Sequence, residues 1–174
     1  MTTGTVFREA VETDVDAIIQ LVQGRIDWMN EVGLHQWNET DYFGRYPRSY
    51  WLKNIGSFLV GELNGVIVAA IALYTEDVRW THDGEYTGSL ASLGDRAYYL
   101  HHLVTATNVK GVGVEMMHFV EQYAVRHGVN NLRLDSAVGN VQLERYYTAL
   151  GYTSCGLCHH CLYHGVLREK KLLQ

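Results

Sequence analysis

A short polar turn between a predicted strand and a predicted helix holds the residues best suited to binding a ligand. In this turn Lys110 is followed by Gly111 and Gly113, and the apolar residues after them recur with a helical period. The glycines therefore lie where a helix begins, and without Cβ atoms they leave main-chain N–H groups open to an anion. The helix dipole and the Lys110 ammonium favour negative charge there. These residues predict a site for a phosphorylated cofactor.

Two common phosphate-binding motifs fit this turn poorly. A Walker A loop has the pattern G-x-x-x-x-G-K-[ST], which the turn lacks. A dinucleotide fold needs a third glycine three residues after Gly113, where this chain has Met116. A glycine-rich helix cap with no ligand would also explain Gly111 and Gly113 taken alone. Features elsewhere in the chain must therefore decide between a phosphate-binding loop and a helix cap without a ligand.

A second helix with a clear beginning and end follows further along the chain. Asn140 is a suitable N-cap, and Leu143, Tyr147 and Leu150 fall on one helical face. Gly151 then supplies the left-handed residue that ends a helix. The sequence therefore predicts a short amphipathic helix between Asn140 and Gly151.

Together the two segments resemble the GNAT superfamily of N-acetyltransferases. The turn at Gly111 is similar to the family's acetyl-CoA loop, [RQ]-x-x-G-x-[GA], with Asn108 where the family usually has Arg or Gln. The helix after Asn140 is similar to the family signature N-x-x-A-x-x-x-Y-x-x-x-G-[FY], with Leu143 in place of the small residue. A further likeness, at 36–37 and 46–47, is to a bacterial branch that carries Q-W before Y-P.

The resemblance covers nearly the whole chain and implies its fold class. This is an α/β fold with a GNAT-like mixed, mostly antiparallel twisted sheet flanked by helices, and residues 1–174 form a single acetyltransferase domain. The length of 174 residues and the 47% hydrophobic content are enough for one core. The predicted strands are 5–10, the hairpin of 57–62 and 66–74, 98–105, 131–136 and 166–172. The last of these alternates poorly, as an edge strand can.

The resemblance also implies that acetyl-CoA is the acetyl donor. The pyrophosphate of this cofactor is held in the family mainly by main-chain amides of the loop. The residues expected to bind it are the end of the strand, the loop, the start of the following helix and one residue of the signature helix: Leu103, Val104, Thr105, Asn108, Val109, Lys110, Gly111, Val112, Gly113, Val114 and Asn140.

Acetyl transfer needs an acid, because the thiolate that leaves must gain a proton. Tyr147 occupies the family position whose phenol points at the thioester sulfur. A phenol has an ordinary pKa of about 10, above that of a thiol at about 8.5, so it can donate this proton. The alternative is a core aromatic, because Tyr147 also lies on the apolar face of its helix. Tyr146 points about 100° away around the helix and is the weaker candidate.

The transfer also needs a base, and the strand before the turn offers one. One face of this strand is more apolar and is predicted to pack into the core; it carries Tyr98, Leu100, His102 and Val104. His101 and Tyr99 then lie on the polar face, which in the family looks onto the acceptor amine. We expect His101 to act as general base, directly or through water. The alternative is a packed, hydrogen-bonded histidine, which is the prediction for His102.

The acceptor amine is expected to contact aromatic residues. Trp37, near the first two helices, and Tyr99 are the predicted contacts, because aromatic faces attract cations. The stretch 75–96 is long for a connection between strands, and such loops are often functional. We expect it to be a lid or a contact in a homodimer.

Charge and hydropathy narrow the possible partners. The chain has 14 Lys and Arg against 19 Asp and Glu, a formal charge of -5, which argues against a nucleic-acid partner. No stretch approaches 18 apolar residues, so no membrane span is expected. The first residues lack the basic and apolar regions of a signal peptide. We expect a cytoplasmic protein.

The cysteines suggest a competing function. Cys155, Cys158 and Cys161 have the spacing C-x-x-C-x-x-C and enclose two histidines, a set that could bind zinc or an iron–sulfur cluster. However, the alternation from Thr153 onward predicts a strand, in which residues three apart face opposite sides. We therefore expect no metal site.

The sequence thus predicts an acetyl-CoA-dependent N-acetyltransferase. It would move an acetyl group to a primary amine of a small molecule or peptide by direct attack of the amine on the thioester. Polyamines, amino sugars, amino acids and protein N-termini all remain possible acceptors. A catalytically silent acyl-CoA-binding regulatory domain is the second hypothesis, and a Cys/His metal-binding module is the third.

Overall fold

A computed structural model describes residues 4–81, 84–86, 95–160 and 163–172 of the chain. Within these ranges it has six α-helices: α1 (Val15–Val32), α2 (Tyr42–Arg45), α3 (Arg48–Asn54), α4 (Val78–Thr81), α5 (Val112–Arg126) and α6 (Val141–Ala149). It has eight β-strands: β1 (Val6–Glu9), β2 (Phe58–Leu63), β3 (Val66–Tyr74), β4 (Gly84–Tyr86), β5 (Ala97–Thr105), β6 (Asn131–Ala137), β7 (Thr153–His160) and β8 (Tyr163–Lys171). None of the described helices is long and apolar enough to cross a membrane.

The chain divides into two compact units, and β5 and α5 each pass from one unit into the other. The first unit comprises the residues up to Leu73 together with His102–Phe119. The second unit comprises Tyr74–His101 and the residues from Val120 onward. Each unit contains both helices and strands.

The first unit contains the strands β1, β2, β3 and the end of β5, in that order. β1 pairs antiparallel with β2, and β2 pairs antiparallel with β3. Asn64, with φ of 52°, and Gly65, with φ of 79°, connect β2 to β3. Two successive residues with positive φ form the tight turn that suits the twist of a hairpin, so the predicted hairpin is confirmed.

The second unit contains the start of β5 and then β6, β8, β7 and β4, in that order. Only β5 and β6 run parallel, and the other pairs are antiparallel. The structure therefore confirms the predicted mixed, mostly antiparallel sheet flanked by helices. The helix signals are confirmed too, because Gly128 and Gly151 have φ of 68° and 87° just after α5 and α6.

The last strand, β8, does not lie at a sheet edge, although its poor alternation resembles that of an edge strand. β8 pairs with β6 on one side and with β7 on the other. It alternates poorly because Arg168 and Glu169 are both buried, at 5% and 7% exposure. Arg168 donates from Nε to Ser136 Oγ at 2.9 Å, and Glu169 accepts from Arg133 Nε at 2.8 Å. These hydrogen bonds allow the charged side chains to be buried in the middle of a sheet. The sequence pattern of β8 therefore resembles that of an edge strand although both of its sides are paired.

Candidate active site

The start of α5, in the first unit, presents the predicted phosphate-binding turn. Gly111 has φ of 84°, which favours glycine, and Val114 N and Glu115 N donate to Gly111 O at 3.1 and 3.2 Å. The amides of Val112 and Gly113 precede these donors, in the first turn of a 15-residue helix. Asn108, Lys110 and Gly111 are exposed. The turn thus offers backbone donors and a lysine to an anion.

Two of the predicted cofactor residues in this unit have buried side chains. Val104 and Val112 are 2% and 1% exposed, so only their main-chain groups could meet a ligand. Leu103, Thr105 and Val109 are half-buried, and Val114 is 38% exposed. The side chains of Val104 and Val112 are therefore part of the core and do not line a ligand site.

Arg25 on α1 holds the end of β5, a contact that sequence reasoning missed. Its guanidinium donates to the carbonyl oxygen and the hydroxyl of Thr105 at 2.5 and 2.8 Å, and it stacks over Trp28 at 5.0 Å. Burial lowers the pKa of Arg25 from its ordinary value. Because this pair is separated by 80 residues in the chain, no local pattern could predict it.

His101 is the last residue of β5 that belongs to the second unit, and it contacts the carboxylate of Asp77. His101 Nε2 lies 2.6 Å from Asp77 Oδ2, and the two side chains are 20% and 5% exposed. Asp77 Oδ1 accepts from the backbone N–H of Arg79 at 2.9 Å. Asp77 precedes α4, so its carboxylate joins the beginning of this helix to the histidine on β5.

A second carboxylate, Asp135 on β6, belongs to the same cluster. Arg79 Nη1 donates to both oxygens of Asp135 at 3.0 and 3.1 Å, and the Tyr163 hydroxyl donates to Oδ2 at 2.6 Å. The Asp135 side chain is only 4% exposed, and the Arg79 guanidinium also lies over the Tyr163 ring at 5.1 Å. Asp135 is therefore neutralised by its own cation.

Electrostatic interactions within the cluster keep Asp77 and Arg79 charged. Burial opposes ionisation of Asp77, yet the hydrogen bond and charge of His101 and the Arg79 amide hold the pKa of this carboxyl below its usual range. Burial also opposes the charge of Arg79, but Asp135 raises the pKa of this guanidinium above its ordinary value. Burial and Asp135 raise the pKa of the Tyr163 phenol. Asp77 is thus an acceptor of hydrogen bonds, and Tyr163 is a donor.

The same cluster is where a cation could bind among the described residues. Asp77, His101 and Asp135 each bring one ligand atom to within 4.8 Å of the others. A divalent ion there would lie against the Arg79 guanidinium, which already donates two hydrogen bonds to Asp135. Repulsion between these charges disfavours a metal, so proton transfer suits the cluster better.

The structure corrects the predicted faces of β5. Tyr99 is buried, at 5% exposure, and its hydroxyl accepts from Arg133 Nη1 at 2.9 Å. Leu100, the next residue, is also buried, at 6% exposure. Both faces of the strand are therefore buried at 99–100, and the φ of 54° at His102 interrupts the alternation only after these residues. Tyr99 therefore packs with Trp80 and Arg133 and offers little surface to an acceptor.

Tyr147 on α6 belongs to the second unit and is 8% exposed. Burial, with smaller contributions from Tyr146 and Asp135, raises the pKa of Tyr147 above its ordinary value. Burial raises the pKa of the half-buried Tyr146 to about 12. Asp135 therefore contributes to the electrostatics of Tyr147 and also lies in the cluster with His101. Asn140, also predicted to bind the cofactor, accepts from Leu143 N at 3.0 Å and caps α6.

Trp37 and His102 lie in an aromatic group of the first unit. Trp37 is half-buried and stacks on Tyr42, with ring centroids 5.1 Å apart. His102 contacts two phenols, with Nδ1 2.6 Å from Tyr42 Oη and Nε2 3.0 Å from Tyr50 Oη. Its ring also stacks on Phe58 at 6.1 Å. His102 is thus a packed, hydrogen-bonded histidine, as the sequence indicated.

The described cysteines lie on β7, as the alternation predicted. Cys158 is fully buried and Cys155 is half-buried. Burial raises the pKa of their thiols to about 11 and about 12. Cys161 lies outside the described residues. The stretch 75–96 holds α4 and β4, while residues 82–83 and 87–94 lie outside the described residues, so its role as a lid or dimer contact stays a prediction.

Comparison with known proteins identifies the family and the fold. The model of the acetyltransferase (GNAT) family matches residues 22–152. A GNAT-family acetyltransferase from Listeria monocytogenes has a TM-score of 0.75 and 24% identity, over 99% of this chain and 99% of its own. One from Streptococcus agalactiae has a TM-score of 0.78 and 19% identity, over 100% and 99%. The paiA N-acetyltransferase from Thermoplasma acidophilum, solved in complex with coenzyme A, has a TM-score of 0.71 and 15% identity, over 98% and 99%. None of the curated proteins matches the chain significantly.

Proposed function

Because the chain belongs to the GNAT acetyltransferase family, which uses acetyl-CoA, we propose that it transfers an acetyl group to a primary amine. The acceptor is a small molecule or peptide, and its amine attacks the thioester directly. The observation that carries this proposal is the cluster in the second unit, where Asp77 contacts His101 at 2.6 Å and Asp135 influences Tyr147. A base and an acid are the equipment that aminolysis of a thioester requires.

The residues at the start of α5 fit the phosphates of this cofactor. Gly111 and Lys110 are exposed, and a Cβ built at Gly111 would meet no atom within 4 Å, so an anion can approach the backbone. Asn108, Val109, Val114 and the amides of Val112 and Gly113 complete the proposed binding turn. The coenzyme A in the structure of the paiA N-acetyltransferase supports the same ligand here. Bound acetyl-CoA would supply the activated acyl carbonyl.

The two catalytic side chains would then move two protons. His101 takes the proton that the acceptor amine loses, and the carboxylate of Asp77 stabilises the imidazolium that results. Tyr147 donates a proton to the leaving sulfur. Its raised pKa keeps the phenol protonated, which is the form that an acid needs. Trp37 is the proposed aromatic contact of the acceptor, and Tyr99 would act only by supporting β5.

An assay of thiol release tests the proposal. The protein is mixed with acetyl-CoA and a panel of polyamines, amino sugars, amino acids and short peptides, and acetylated products are identified by mass spectrometry. We expect amine-dependent release that is lost in His101→Ala. Binding of acetyl-CoA at 1:1 stoichiometry without transfer to any amine would instead support a silent acyl-CoA-binding domain. We also propose a cytoplasmic location and a homodimer, which fractionation and light scattering would test.

A further inference from the structure

Asp77 is the carboxylate that contacts the proposed base, and hydrogen bonds at the beginning of α4 hold it in place. Its Oδ1 accepts from Arg79 N at 2.9 Å, and its carbonyl oxygen accepts from Trp80 N and Thr81 N at 3.0 and 3.2 Å. These bonds place Asp77 at the beginning of α4 and leave Oδ2 aimed at His101 Nε2, 2.6 Å away. The side chain is 5% exposed, so water competes little for this oxygen.

An ionised carboxylate only accepts hydrogen bonds, so the His101 nitrogen that faces Asp77 must carry the proton. In a neutral imidazole the other nitrogen, Nδ1, then holds the lone pair. We propose that Asp77 is a positioning residue that holds His101 in the Nε2–H tautomer, so that Nδ1 takes the proton of the acceptor amine. This inference rests on the proposed function and adds the atom that acts as base.

Asp77 suits this role better than Asp135, the other carboxylate of the cluster. Asp135 lies in the same cluster, but Arg79 and Tyr163 already donate three hydrogen bonds to its oxygens. Tyr74 contributes a ring 5.4 Å from that of His101, which orients the imidazole without charge. When His101 gains its second proton, the carboxylate that it contacts is therefore that of Asp77.

The inference also gives a role to the beginning of the stretch 75–96. Asp77 owes its fixed geometry to α4, whose first residues follow it directly. The orientation of the proposed base therefore depends on this helical turn being folded. A change that unfolds α4 would impair catalysis without touching the start of α5.

The variant Asp77→Asn separates positioning from folding. The asparagine oxygen can still accept from Arg79 N, but its amide would donate toward His101 Nε2 and favour the Nδ1–H tautomer. We expect kcat to fall by about 10²-fold or more, with KM for acetyl-CoA nearly unchanged. Asp41→Asn is the matched control, because Asp41 also accepts a helix-start amide, Gly44 N at 2.9 Å, and it is exposed. It should retain full activity.

Two further measurements make the result decisive. In the His101→Ala background, Asp77→Asn should have no further effect on kcat; an undiminished loss would show that Asp77 acts only through α4 and would overturn the proposal. ¹⁵N NMR of the histidines needs no activity, and His101→Ala assigns the His101 signals. We expect a protonated Nε2 in the wild type and a protonated Nδ1 in Asp77→Asn. The same tautomer in both proteins would also overturn the proposal, whether or not an acceptor amine had been found.

Discussion

The start of α5 and the cluster around His101 are built in opposite ways. The turn at Gly111 uses main-chain amides that follow one another in the chain, and Lys110 and Gly111 are exposed. The cluster uses side chains from β5, β6 and the residues before and within α4, and its two carboxylates are 5% and 4% exposed. A site made from backbone suits a large, flexible anion, whereas buried and mutually oriented side chains suit proton transfer.

The adjacent histidines of β5 show the same contrast at closer range. Asp77 contacts His101, so a proton gained there meets a negative charge. His102 contacts two phenols, whose hydroxyls are neutral partners. The hydrogen-bond partners of each histidine, and not its residue type, therefore decide whether it is suited to act as a base. If the start of α5 binds acetyl-CoA and the cluster transfers protons, variants at the start of α5 should change acetyl-CoA affinity and variants in the cluster should change kcat.

The largest effect is expected from Gly113→Glu, in the first turn of α5. The new side chain would place bulk and negative charge where the cofactor phosphates are proposed to bind. We expect acetyl-CoA affinity, measured by isothermal titration, to fall on the order of 10³-fold while circular dichroism stays unchanged. Gly24→Glu is the matched control, since a Cβ at this residue of α1 would meet no atom within 4 Å. A folded Gly113→Glu protein that binds as tightly as wild type would show that the loop assignment is wrong.

The second-largest effect is expected from Tyr147→Phe, which removes the proposed acid. Tyr147→Phe keeps the ring and its packing but removes the proton, so kcat should fall by about 10²-fold with little change in acetyl-CoA affinity. Because burial raises the pKa of Tyr147, the wild-type phenol stays protonated as pH rises, and the variant should keep the shape of the pH–rate profile. Tyr146→Phe, at the neighbouring residue of α6, is the control and should cost far less. Full activity of Tyr147→Phe would remove the proposed acid.

His101→Ala should differ from Tyr147→Phe in its dependence on pH. Transfer needs the neutral imidazole, so wild-type kcat/KM should rise with pH along an acidic limb and then level off. The variant should lose about 10-fold to 10²-fold in kcat/KM and should lack this limb. Higher pH or added base should restore part of the rate, because more of the acceptor amine is then already deprotonated. An unchanged profile would assign the base to water or a carboxylate.

The sequence predicted what local patterns determine. The turn at Asn64-Gly65, the glycine-rich start of α5 and the Asn140 cap of α6 each involve residues a few positions apart, and all three appear in the structure. Asp77 and His101 are 24 residues apart, and Arg79 and Asp135 are 56 apart, so periodicity carries no sign of either pair. The positive φ of His102 was equally hidden, because a strand pattern assumes unbroken alternation. The burial of Tyr99 was missed because it depends on Trp80 and Arg133, which lie far from it in the chain.

The smallest effect is expected from Cys158→Ser, which tests whether the cysteines belong to either region. Cys158 is fully buried on β7, and burial raises the pKa of its thiol to about 11, so it is a poor thiolate ligand or nucleophile near neutral pH. The serine hydroxyl is harder to bury than a thiol, and we expect a loss of about 1 kcal/mol in the free energy of unfolding, measured in urea. Turnover and acetyl-CoA affinity should stay near wild type, and purified protein should hold no stoichiometric zinc or iron. Near-unity metal in anaerobically prepared wild type, lost in the variant, would contradict this and support a metal site at the cysteines.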